Sequence, residues 1–244
     1  MPDVVAIIQA RMTSTRLPGK VLMDLAGRPM LEQQLRRLAL AATVDEIVIA
    51  TTDNVSDDPV CALAERLGVG CFRGSEHDVL DRFVRAARQA EADIVVRVTA
   101  DCPLLDPALV DAVVAPMLED PECDYASNVL QRCYPRGLDV EALRTSVLER
   151  VAASATSKEA REHVTWHIVR EAPGAFRTHA VTEADDHSDL RWTVDTDDDL
   201  ALVRRLYADL DLGAHPRGYR DVLAHVQATP ELRTINRHVQ QKAA

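Results

Sequence analysis

Residues 4 to 8 read VVAII, a continuous apolar and mostly β-branched run. Such a run marks a strand buried on both faces, as in a parallel sheet. DEIVIATT (45–52), VGCF (69–72) and DIVVRVTA (93–100) repeat the pattern. Between them, apolar positions recur at helical spacing over 29–41, 58–68, 78–90 and 106–118. Pro29 suits a first helical turn, and Gly68 suits the end of a helix. Alternating strands and helices predict a mostly parallel sheet with helices on both faces.

The pattern is less regular after residue 120. Strands are predicted over 124–130 and 134–143, around a turn, and again over 176–181 and 190–195. Helices are predicted over 146–155, 159–172, 197–210 and 219–228. The tail TINRHVQQKAA is polar and reads as frayed. Repeats, low-complexity segments and linkers are absent from the sequence. One α/β domain over 1–244 is predicted, with about 135–190 inserted as a small subdomain.

Composition sharpens this picture in two ways. The 244-residue chain carries a formal net charge of -11, which argues against a general nucleic-acid binder. It also makes any local cluster of cations informative. The opening MPDVVAII has neither a basic region nor the length of a secretory signal, and no stretch approaches the roughly 20 apolar residues of a membrane span. A cytoplasmic protein without membrane association is expected. Five cysteines, scattered and without CxxC spacing, fit reduced thiols better than a zinc site.

The cationic cluster is QARMTSTRLPGK (9–20), directly after the first strand. It offers backbone N–H groups, hydroxyls, Arg11, Arg16 and Lys20 at a strand end, where open α/β sheets bind ligands. Amides and hydroxyls donate to a polyphosphate, while Arg and Lys offset its charge. Neither a Walker pattern nor GxGxxG is present. The residues alone leave a plain solvated loop open as the alternative.

Two carboxylates complete the candidate chemistry. Asp101 follows the predicted strand at 93–100, and Asp195 ends the predicted strand at 190–195. A carboxylate at a buried strand end needs a cation or donors. Mg²⁺ bound to one or two carboxylates and to phosphate oxygens would satisfy both. Asp197, Asp198 and Asp199 read instead as helix N-terminal acids, with Thr196 or Asp197 as the cap. Two strand-end carboxylates beside a cationic loop suit nucleotidyl transfer.

At this point the sequence resembles a known family. IIQARMTSTRLPGKVLMDLAGRPML is similar to the N-terminal signature of cytidylyltransferases that make CMP-activated acid sugars, closest to the 3-deoxy-manno-octulosonate version and less close to the acylneuraminate version. FRGSEHDVLDRF, RVTADCPLLDP, SNVLQRCYPRGLDVE, REHVTWHI and LRWTVDTDDDL resemble the spore coat polysaccharide biosynthesis protein F branch. The resemblance spans about residues 4–210. It implies a glycosyltransferase-A-like (Rossmann-like) three-layer sandwich, CTP as donor, Mg²⁺, and an acceptor bearing a carboxylate or similar anion. An anomeric hydroxyl would attack, releasing pyrophosphate. By position, Gln9, Ala10, Arg11, Ser14, Arg16 and Lys20 would surround the triphosphate. Lys20, Arg11 and Asp101 would act in catalysis, and Asp101 and Asp195 would hold Mg²⁺. Arg73, Ser75 and Arg82 would approach the cytidine. Asn128, Arg136 and Asp139 would face the acceptor. His163 would lie where the subdomain meets a partner subunit in a homodimer.

Two departures bear on the acceptor. Cys102 stands where the octulosonate enzymes usually have glutamate, and the second half lacks their acceptor motifs. Two other classes compete: a glycosyltransferase using a preformed nucleotide sugar, and a non-catalytic nucleotide-binding regulator. ADCP lacks the DxD of the first, and Lys20, Asp101 and Asp195 together exceed the needs of the second. His163 and His167, four apart without HExxH, suit packing or surface roles. Trp166 and Trp192 suit core or interface anchors.

Overall fold

The computed structural model describes residues 2–241. Strand β1 (Val4–Gln9) lies third from one edge of a seven-stranded sheet. Its neighbours on one side are β4 (Glu46–Thr52) and β5 (Gly70–Gly74), both parallel to their neighbours. On the other side is β6 (Ile94–Thr99), also parallel. Next come β8 (Glu141–Arg144) and β7 (Tyr125–Ser127), which reverse direction in turn, and β9 (Thr178–Ala180), parallel to β7 at the edge. A hairpin of β2 (Asp24–Leu25) and β3 (Arg28–Pro29) stands apart. It turns on Ala26 and Gly27, both with positive φ.

The unbroken apolar run of β1 is explained by two faces that are both covered. Val4, Ala6 and Ile8 pack beneath α1 (Met30–Leu38), α2 (Asp58–Leu67) and α4 (Pro107–Glu119). Val5 and Ile7 pack beneath α3 (Val79–Gln89), α5 (Thr145–Ser154) and α6 (Lys158–Glu162). A third apolar cluster joins α7 (Asp197–Asp209) and α8 (Tyr219–Ala228) to Trp192, Val194, Tyr134 and Leu138. The three-layer, mostly parallel α/β sandwich expected from the sequence is present.

Several expectations need correction. Residues 190–195 do not form a strand of the sheet. Leu190, Trp192 and Val194 alternate as a strand would, but they face the α7–α8 cluster. The segment crosses near the sheet end, tied by Trp192 N to Arg136 O (2.7 Å) and Val194 N to Asp101 O (2.8 Å). Its partner segment, 134–140, is a loop, and only Glu141–Arg144 pairs as a strand. Gly137 makes this approach possible. Its φ is +102°, and a Cβ there would overlap the Thr193 backbone. The single helix predicted over 159–172 breaks after Glu162 and resumes as a π-helical turn at His167–Glu171. Val164 is drawn into the core and Thr165 donates to Glu141, which pulls the chain off the helical path. The tail is packed in part: Asn236 is buried, donating to Arg191 O and Asp199. Residues 242–244 lie outside the described residues. The segment 135–190 supplies β8 and β9 to the central sheet and α5 to one face.

Candidate active site

Gln9 and Thr99 are register partners at the carboxyl ends of β1 and β6. The loops that follow therefore leave the sheet side by side, carrying the cations at 11–20 and Asp101. Gly19, left-handed at φ +73°, turns the first loop into a short helical turn that starts at Lys20. The 190–195 crossing brings Asp195 in from the opposite side. Its Val194 and Thr193 both bond to the Asp101 carbonyl, which fixes the two aspartates relative to each other.

Lys20 stands between them. Its Nζ donates to Asp195 Oδ1 (2.8 Å), Asp101 Oδ2 (3.1 Å) and Val194 O (2.7 Å). Each carboxylate is held from behind by its other oxygen. Thr99 donates to Asp101 Oδ1 at 2.6 Å. Arg191 and Arg16 hold Asp195 Oδ2 at 2.7 and 2.8 Å. Arg191 is itself braced by Asp199, which also completes a capping box with Thr196 at the start of α7. Burial alone would depress the Lys20 ammonium, but Asp101 and Asp195 outweigh it and leave its pKa raised. Burial likewise opposes ionisation of Asp195, and Lys20, Arg191 and Arg16 reverse this and hold its pKa low.

Two cavities meet at this cluster. One, of about 800 Å³, is walled by Gln9, Ala10, Arg11, Ser14, Arg16, Lys20 and Arg82. The other, of about 680 Å³, is walled by Arg97, Arg132, Arg136, Asp139 and Glu141. Asp101 and Asp195 belong to both. Arg11 pairs with Glu76, which also accepts from Thr13 and Asn54. Arg82 is buried with its Nε unpartnered, and burial, followed by the nearby Arg11 charge, lowers its pKa.

Three expected site residues are turned elsewhere. Arg73 donates to Thr52 O, Asn54 O and Asp58, tying β5 to the β4–α2 connection. Ser75 Oγ accepts from His77 N and Asp78 N in the turn before α3. Asn128 is buried and bridges Leu138 O and Val140 N. None of the three lines either cavity. In the second cavity, Asp139 accepts from both terminal guanidinium nitrogens of Arg132 at 2.7 Å. Arg136 makes no side-chain hydrogen bond or ion pair among the described residues. Burial and then repulsion from Arg132 lower its pKa.

Other wall residues lie outside the expected substrate and metal set, although Arg97, Cys102, Glu141, Glu162 and His163 fall within the motifs that carry the resemblance. Lys158, Glu162 and His163 line both cavities, which puts His163 in the site wall. Arg97 and Glu141 form a buried pair, and Glu141 also accepts from Tyr125 and Thr165 at 2.6 Å. Three donors hold its two oxygens in place, and Oε2 keeps acceptor capacity toward the cavity it lines. Cys102 is buried, and burial, then Asp101, push its thiol far above the ordinary range. It is unsuited to nucleophilic attack.

Mg²⁺ fits the donor set. Asp101 and Asp195 each present one oxygen to a common point where a cation, the Lys20 ammonium, already stands. Among the described residues no group of three or more His, Cys, Asp or Glu side chains forms a cage that could hold a metal by itself. Two carboxylates plus phosphate oxygens is an arrangement Mg²⁺ favours.

A family model described as cytidylyltransferase matches residues 5–209. The chain belongs to the cytidylyltransferase family. The spore coat polysaccharide biosynthesis protein SpsF of Bacillus subtilis is 35% identical over 215 residues, covering 85% of this chain and 87% of that protein. A cytidylyltransferase structure from Leptospira borgpetersenii aligns with TM-score 0.91 at 29% identity, covering 100% of both chains. The structure of CMP:2-keto-3-deoxy-manno-octonic acid synthetase complexed with CTP aligns with TM-score 0.66 at 26% identity, covering 85% of this chain and 99% of that one. The chain is thus a nucleotidyltransferase, and the glycosyltransferase and regulator readings are set aside. Among the described residues no helix is long and apolar enough to cross a membrane.

Proposed function

We propose that the protein transfers CMP from CTP to an acid sugar or related anionic acceptor, releasing pyrophosphate, in surface-polysaccharide or secondary-metabolite synthesis. The observation that carries this is the meeting of two cavities at Lys20, Asp101 and Asp195. The cavity of the 9–20 loop takes the nucleotide, with Arg11, Ser14 and Arg16 on the triphosphate and Arg82 toward the cytidine. The other takes the acceptor, whose anion meets Arg136, which has no side-chain partner among the described residues. An acceptor hydroxyl attacks the α-phosphorus at the junction, and the bond to the bridging oxygen breaks. Lys20 offsets charge on the α-phosphate and the departing pyrophosphate. Asp101 and Asp195 would hold Mg²⁺, which when bound supplies further charge stabilisation. Cytoplasmic location and a homodimer, with 135–190 contributing to acceptor binding and the dimer contact, belong to the same proposal.

Thermal stabilisation by CTP, UTP, ATP and nucleotide sugars, each with Mg²⁺, tests the nucleotide assignment. At a hundredfold excess over Kd, CTP should stabilise the protein by about 2.7 kcal/mol. The shift should vanish in Lys20→Ala and Asp101→Ala. Stabilisation by a nucleotide sugar without any by CTP would overturn the assignment.

A further inference from the structure

We propose that in the free protein Lys20 keeps the metal position closed, so that a divalent cation and the nucleotide enter together. This rests on reading Asp101 and Asp195 as the metal ligands.

The geometry supplies the reason. The two carboxylate oxygens not held from behind both face the Lys20 ammonium. An ammonium has three donors. All three are used here, on Asp101, Asp195 and the Val194 carbonyl. The local charge balance also disfavours a bare dication. Lys20, Arg16 and Arg191 already surround the Asp101–Asp195 pair. A divalent ion arriving alone would meet a site whose negative charge is neutralised and whose centre is filled.

A triphosphate changes both conditions. Lys20 lines the nucleotide cavity together with Arg11, Ser14 and Arg16. Its four-carbon stem carries a compact charge that can swing while the backbone stays fixed. Phosphate oxygens would replace the acceptors it gives up and bring the negative charge that a dication requires. The carboxylates, still held by Thr99, Arg191 and Arg16, would then face an open position. Metal and nucleotide therefore bind with positive coupling, and the coupling is reciprocal. One residue thus serves as the stopper of the free site and the cation of the loaded one.

Mn²⁺ binding followed by electron paramagnetic resonance tests this without turnover. Free wild-type protein should bind Mn²⁺ weakly. Lys20→Met should bind it roughly tenfold more tightly or better, because a charge about 3 Å from both carboxylates is gone. Lys20→Arg retains a charge and should stay weak. Arg85→Met removes a surface cation outside both cavities and should match the wild type. Should Lys20→Met fail to fold, Lys20→Gln takes its place. Adding α,β-methylene CTP should raise Mn²⁺ affinity in the wild type well beyond the sum of the two ligands acting alone. Equal Mn²⁺ affinity in wild type and Lys20→Met would overturn the stopper while leaving the metal ligands in place. Failure of the wild type to bind Mn²⁺ even with the nucleotide analogue would overturn the metal assignment, and the stopper with it.

Discussion

The two cavities are built by opposite strategies. The cavity proposed for the nucleotide draws Gln9 from the end of β1, Ala10, Arg11, Ser14, Arg16 and Lys20 from the one continuous loop behind it, and Arg82 from α3. The cavity proposed for the acceptor draws Arg97 from β6, Arg132, Arg136 and Asp139 from the loop before β8, and Glu159 from α6. A continuous loop fixes its groups relative to one another through its own backbone. Scattered side chains depend on packing across several elements. In the first case chemistry and fold share one motif. In the second, residues that look like ligands must be separated from residues that hold the walls together.

Substitutions can break that distinction or sharpen it. The largest expected effect on acceptor use belongs to Arg136, an arginine of the proposed acceptor cavity with no side-chain partner among the described residues. Arg136→Met should raise the acceptor KM roughly tenfold to a hundredfold, the worth of a charge-assisted hydrogen bond, and leave the KM for CTP unchanged. Steady-state kinetics varying each substrate in turn would show this. An equal rise in both KM values would mean that the cavities are not separate. At the other end stands Asn128, in the same sequence motif as Arg136. Asn128→Ala orphans the Val140 N–H and the Leu138 carbonyl, at about 1–3 kcal/mol of stability for each buried group. Denaturant unfolding should register that loss while the acceptor KM stays at its wild-type value. A raised acceptor KM with unchanged stability would return Asn128 to the binding surface.

The same contrast explains what the sequence could disclose. β1, β4 and β6 carry apolar runs covered on both faces, and local pattern suffices to find them. The phosphate-side residues follow β1 directly, so finding the strand finds the loop. Residues 190–195 alternate as a strand does, yet their apolar side chains face α7 and α8. Periodicity reports burial and not which layer provides it. Asp195 still reaches the site because its segment crosses beside the carbonyl of Asp101. The break after Glu162 depends on Thr165 meeting Glu141, a contact between distant residues. Arg73 and Ser75 have the right residue types at the right strand end, but their hydrogen bonds go to neighbouring backbone and to Asp58. Side-chain direction, which separates them from Arg82, is set by the fold.

The most direct measurement of the central claim is pyrophosphate release on mixing CTP, Mg²⁺ and a panel of acid sugars and their neutral counterparts, with phosphorus NMR following the α-phosphate. The account predicts release that requires CTP and an anionic acceptor together, with the α-phosphate resonance moving to that of a CMP diester. Release with neutral acceptors as fast as with acidic ones, or with UTP as fast as with CTP, would contradict it.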